Sequence, residues 1–130
     1  MNTSFQIGSC IPVLRMLDET SAREFYLDYL GFEVDWEHRF EDSPSSPLYM
    51  QASLGSATLH LNGHATQESP ACEVRIPIVG IEAFCKHLND KPSRFEKQSV
   101  ADPRYEGKPT DLNILDPFQN HLVFWAREEL

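Results

Sequence analysis

The side chains best suited to chemistry are Trp36, His38, Tyr49, His60, Glu73, Phe118, His121 and Trp125. An imidazole can ligate a metal or move a proton near neutral pH. A carboxylate such as Glu73 can ligate or act as a general base. Tryptophan, tyrosine and phenylalanine offer flat surfaces for stacking, and their faces attract cations. The thiols are less informative. Cys10, Cys72 and Cys85 are widely spaced and form no CxxC pair, so a structural zinc site is not expected. Free thiols suit a reducing cytosol.

These residues fall on elements that the hydropathy pattern marks out. Ala22, Phe25, Tyr26, Tyr29 and Leu30 make one apolar stripe and predict a helix over 18–30, capped by Asp18 or Thr20 and stopped by Gly31. Ile81, Phe84, Cys85 and Leu88 predict a second helix over about 80–89, with Cys85 as a small buried apolar group. Phe32, Val34, Trp36, His38 and Phe40 alternate with charged residues, the period of a strand. Further strands are predicted at 48–54, 57–62, 73–78, 94–100, 111–115 and 120–126. The segments 63–70 and 101–109 read as connectors.

The order repeats. Residues 7–62 read strand, helix, then three strands, and residues 71–127 read the same way. One α+β domain over 1–130, built from two βαβββ modules, follows from that order. Each helix covers one face of its sheet. Alternation then sends Thr58, His60, Asn62, Glu73, Arg75, His121, Val123 and Trp125 to the other face, with Trp36, His38, Tyr49 and Gln51 extending it. A wall of mixed polar and aromatic residues suits a small-molecule pocket. Its bland counterpart is a solvated sheet face on which Glu73 and Arg75 only pair with each other.

Composition excludes several function classes. The chain has 130 residues, 20 acidic against 11 basic, for a net charge of −9. Nucleic-acid binding rests on Lys and Arg neutralising phosphates, and attraction to anionic membranes needs basic clusters, so neither partner is expected. An acidic surface does attract cationic small molecules. Apolar runs are too short to span a bilayer and no signal peptide is apparent at 1–6, so a cytoplasmic location is expected.

The stretch Ile11-Pro12-Val13-Leu14-Arg15, then Phe25-Tyr26, then Leu30-Gly31-Phe32, resembles the opening of the vicinal-oxygen-chelate superfamily. That superfamily includes glyoxalase I, extradiol dioxygenases and bleomycin-resistance proteins. Asp116-Pro117-Phe118-Gln119-Asn120 resembles its closing DPxGN signature, with Gln119 where glycine is usual. A non-glycine residue disfavours positive φ, so a different turn type is expected there. The resemblance implies paired βαβββ modules and a homodimer with a cavity partly shared between subunits. It also implies four metal-ligand positions, which fall on Ile11, His60, Glu73 and Val123. Ile11 and Val123 carry no donor atom, and His60 with Glu73 alone would hold a divalent metal weakly. No cofactor is therefore expected.

The leading expectation is metal-independent binding and sequestration of a small molecule, with a cationic antibiotic such as bleomycin as the family's label. Trp36, His38, Tyr49, His60, Glu73, Phe118 and Trp125 would contact the ligand. The alternative is a glyoxalase-like, metal-dependent lyase or isomerase with an altered site. In that case His60 would ligate, Glu73 would ligate or act as base, and His121 would complete the set, Glu73 and His121 being the catalytic candidates.

Overall fold

A computed structural model describes residues 4–101 and 110–130. The first module runs β1 (Val13–Arg15), α1 (Glu19–Ala22), a π-helical continuation (Arg23–Tyr29), β2 (Glu33–Arg39), β3 (Leu48–Leu54) and β4 (Ala57–Asn62). Its four strands order as β1-β4-β3-β2. The second module runs β5 (Glu73–Ile78), α2 (Ile81–Asp90), β6 (Asp111–Leu115) and β7 (His121–Ala126), in the order β5-β7-β6. In both sheets the module's first strand lies parallel to its last, and the other neighbours are antiparallel. The two modules are thus similar in topology, the second with one strand fewer among the described residues.

The first helix starts where Asp18 accepts the Ser21 N–H at 2.8 Å. It ends in a wide turn in which the Leu30 N–H reaches the Phe25 carbonyl at 2.9 Å. Gly31 then takes φ +95°, which favours glycine. The stripe Ala22, Phe25, Tyr26, Tyr29 and Leu30 is buried against Leu14, Met50, Ala52, Leu59 and Leu61 of the first sheet. In the second module Ile81, Cys85 and Leu88 join Leu112, Leu122 and Phe124 in the same core. Burial of this kind contributes about 1.5–3 kcal/mol per large side chain.

Three sequence expectations need correction. Residues 94–100 form no strand, so the second sheet has three strands among the described residues. The Asn89 side chain binds the Gln98 carbonyl at 2.9 Å and the Gln98 N–H at 2.7 Å. Phe95 packs on Phe25 and Tyr29. Backbone groups held by a helix side chain, and a ring committed to the core, leave no ladder to join. Just past the segment, Ala101 makes an isolated bridge to Asp111. Most of the predicted connector 101–109 lies outside the described residues.

The second correction is in β2. Val34 pairs with Ala52, but the next pair is Trp36 with Gln51, so Asp35 is an extra residue in a β-bulge. The alternation from Phe32 to Phe40 is therefore not one face. Phe32 and Val34 pack with the core, whereas Trp36 and His38 sit opposite Gln51 and Tyr49 on the far face. Glu37 and Arg39 come round to the helix side, where they pair with Arg23 and Glu19.

The third is the turn before β7. Gln119 adopts φ +70° despite its side chain. Asp116 forces the geometry: its Oδ1 accepts the N–H groups of Phe118 (2.8 Å) and Asn120 (2.7 Å).

Candidate functional site

The open face of the first sheet carries the densest side-chain cluster. Register places His60 on β4 beside Gln51 of β3, and Gln51 beside Trp36 of β2. Tyr49 lies opposite Asn62 and His38. The Trp36 and Tyr49 rings stack at 6.0 Å with planes 12° apart. His60 meets each of them edge-on, at 5.2 Å. Trp36 remains 42% exposed and so offers a free ring surface.

Hydrogen bonds tie the cluster together. Tyr49 Oη lies 2.8 Å from His60 Nδ1, and His60 Nε2 lies 3.0 Å from Gln51 Oε1. Gln51 Nε2 donates to Asp35 Oδ2 at 3.0 Å, and the Ser53 hydroxyl donates to the same oxygen. The bonds from Ser53 and Gln51 hold the Asp35 carboxyl below its ordinary range. Burial raises the Tyr49 phenol above its ordinary value. Both ring nitrogens of His60 are thus engaged within the cluster.

Gln51 and Asp35 complete the cluster but were not among the core sequence candidates. Gln51 was readable, since it alternates with the apolar Met50 and Ala52. Asp35 was not, because only the bulge lets it share a face with the adjacent Trp36.

The remaining candidates are divided. His38 stands next to Tyr49 but meets Phe40 edge-on at 5.0 Å, and it lines a separate groove of about 540 Å³. Glu73, His121 and Trp125 lie on the second sheet. There His121 Nδ1 is 3.2 Å from Glu73 Oε1 and its Nε2 is 3.0 Å from Asn113 Oδ1. Glu73 does not pair with Arg75, which instead approaches Asp111 at 3.7 Å and Trp125 at 6.0 Å. Phe118, expected to stack against ligand, is 4% exposed and belongs to the core, so it presents no ring surface.

Ile11 precedes β1, and the residue paired with His60 is Val13. Neither has a donor atom. Val123 is buried in the second sheet. His60 and Glu73 stand on different sheets, and among the described residues no group of three or more His, Cys, Asp or Glu side chains is arranged to hold a metal ion. A cleft of about 620 Å³ opens between the β3–β4 hairpin and β5, lined by Leu54, Leu59, Ile76, Phe84 and Phe124. Of the residues assigned to the open face from sequence, Thr58 and Arg75 line it, but none of the expected ligand contacts does.

Two modules of similar topology, closed by a buried Asp116–Asn120 turn, are matched by a family profile described as "glyoxalase superfamily protein" over residues 2–129. The chain belongs to the glyoxalase superfamily. No curated protein matches it. Similar solved structures include a bleomycin-binding protein from Streptomyces verticillus in complex with copper(II)-bleomycin. It is 20% identical, covers 95% of this chain and 99% of its own, and has a TM-score of 0.63. An antibiotic-binding protein from Streptomyces sp. CB03234 is 16% identical over 94% and 98% of the two chains, with a TM-score of 0.63. A glyoxalase family protein from Bacillus anthracis is 19% identical over 98% and 99%, with a TM-score of 0.62. At these identities the likeness is one of fold. No helix of the described residues is long and apolar enough to cross a membrane.

Proposed function

We propose that this glyoxalase-superfamily chain binds a flat, cationic small molecule on the open face of the first sheet and sequesters it unchanged. One observation carries the reading. His60 has both ring nitrogens bonded to its neighbours, and Val13 beside it has no donor. A metal would have to break those bonds and recruit ligands from elsewhere. The same face offers the exposed ring of Trp36 and the carboxylate of Asp35, a combination that favours aromatic cations. Structures of like fold include proteins named for bleomycin or antibiotic binding, so bleomycin is the first ligand to try. One fold hosts many functions, and the site has to decide.

The test is a pair of titrations on purified protein. Nickel, zinc and manganese are expected to show no binding at micromolar concentration, while bleomycin binds and Trp36→Ala weakens it at least tenfold. One metal per chain, lost in His60→Ala, would overturn the reading.

A second reading rests on Glu73 and His121. An imidazole held between a carboxylate and Asn113 is an arrangement that can hold a general base. Under it the chain is a metal-dependent lyase or isomerase with an altered site, and His121→Ala abolishes turnover. A binding protein would instead keep its ligand affinity in that variant.

A further inference from the structure

We infer that the open face of the first sheet selects ligands that bring a hydrogen-bond donor, because a one-way relay starting at Asp35 fixes Tyr49 Oη as an acceptor. The inference rests on the binding reading above and adds the ligand's chemistry.

The direction of each bond follows from the one before it. An ionised carboxylate can only accept. Asp35 therefore requires the amide NH2 of Gln51 on its side, as the 3.0 Å contact from Nε2 has it. That choice leaves the Gln51 carbonyl oxygen facing His60 Nε2 at 3.0 Å. A carbonyl oxygen also only accepts, so the His60 proton sits on Nε2. The neutral imidazole then has a lone pair at Nδ1, 2.8 Å from the Tyr49 oxygen. The phenol proton points to that lone pair. Tyr49 Oη has no second proton, and what it can offer a ligand is lone pairs alone.

The strongly basic group on this sheet is committed elsewhere. Arg15, the strongly basic residue of β1, spends Nε on the Phe118 carbonyl (2.8 Å) and Nη1 on the carbonyls of Ser69 (2.8 Å) and Gln67 (3.2 Å). Asp35 adds negative charge, and Trp36 adds a flat surface stacked against Tyr49. The fitting ligand is a planar heteroaromatic cation with an N–H at its edge. A carboxylate there would set lone pairs against lone pairs. Tyr49 makes the contact, while His60, Gln51 and Asp35 are positioning residues that orient its hydroxyl.

The experiment compares three acridines by fluorescence titration: 9-aminoacridine, a cation with N–H donors; N-methylacridinium, a cation without them; and acridine-9-carboxylate. The wild type is expected to bind 9-aminoacridine at least about fivefold more tightly than N-methylacridinium, the yield of one hydrogen bond, and the carboxylate most weakly. Tyr49→Phe should bring the two cations within twofold of one another, the loss falling on 9-aminoacridine, and Asp35→Asn should do the same while weakening both cations through the lost negative charge. Trp36→Ala should weaken both. Equal wild-type affinity for the two cations, still dependent on Trp36, overturns the inference and leaves the binding reading standing. Failure of both cations to bind overturns both. Nitrogen-15 shifts of His60 give a readout that needs no ligand: a proton on Nε2 is expected, and a proton on Nδ1 overturns the relay.

Discussion

Gln119 carries a side chain at φ +70°, where β-carbon contacts cost about 1–2 kcal/mol. Asp116 sustains it by binding the backbone on both sides, at Phe118 and Asn120. Gln119→Gly should therefore raise unfolding stability by about 1 kcal/mol in urea denaturation. Asp116 itself is buried and receives the Tyr26 hydroxyl at 2.6 Å and Asn120 Nδ2 at 2.7 Å. Burial pushes its carboxyl above the ordinary carboxylate range, while the bonds from Tyr26, Asn120 and the backbone pull it down. A carboxyl whose folded pKa is raised gives its stabilisation at low pH and loses it as pH rises through that pKa. The Tyr26 bond offsets this loss because it favours the ionised form. Tyr26→Phe should then cost about 1.5–3 kcal/mol at pH 7, the range for a hydrogen bond to a charge, and less at pH 4. Urea denaturation at the two pH values checks the difference; equal costs would show that Asp116 keeps one protonation state throughout.

At the level of elements, local departures from regularity position the site. The bulge at Asp35 moves Trp36 out of the core phase of Val34 and sets it opposite Gln51, on the same face as Asp35. The connector after β4 leaves through Gly63, whose N–H binds the Leu48 carbonyl at 2.7 Å. A Cβ at Gly63 would overlap that same carbonyl oxygen. The obstacle is backbone, which cannot step aside as a flexible side chain would. Gly63→Ala is expected to destabilise the protein by about 1–3 kcal/mol, as overpacking does, and a thermal melt would register the loss. Downstream, Arg15 holds the connector through the Gln67 and Ser69 carbonyls.

Across the whole molecule, the modules are joined by polar contacts as well as by rings. Arg15 of β1 binds the Phe118 carbonyl, and its own carbonyl accepts Asn120 Nδ2 at 2.9 Å. Tyr26 reaches Asp116, and Lys91 binds the Tyr29 carbonyl at 2.6 Å. Outside this joint, large apolar side chains remain exposed, among them Phe5, Ile7, Val13 and Leu115. Exposed apolar groups gathered into one patch would mark an interaction surface. We propose a homodimer that covers them. Sedimentation equilibrium should give twice the chain mass, and replacing Phe5 and Ile7 together by Ser should shift it toward the monomer; a wild-type monomer would refute the proposal.

The sequence by itself determined the repeat of modules, the buried stripe of the first helix, and the placement of His60 opposite that stripe. Those features follow from hydropathy with a period of 3.6 or two, which any short window of chain reveals. It also carried the Asp116–Asn120 turn, through residues whose side chains bind nearby backbone. Tertiary structure decided the rest. A bulge shifts the phase of a strand without disturbing the alternation of its letters, so that the adjacent Asp35 and Trp36 share one face could not be read locally. Residues 94–100 lost their strand to Asn89 and to a core site for Phe95, and both competitors lie outside the segment. The separation of His60 from Glu73 depended on how one sheet is set against the other, which no periodicity encodes. Hydropathy reports which side of an element is buried; which partners meet on the other side is settled only when the elements pack.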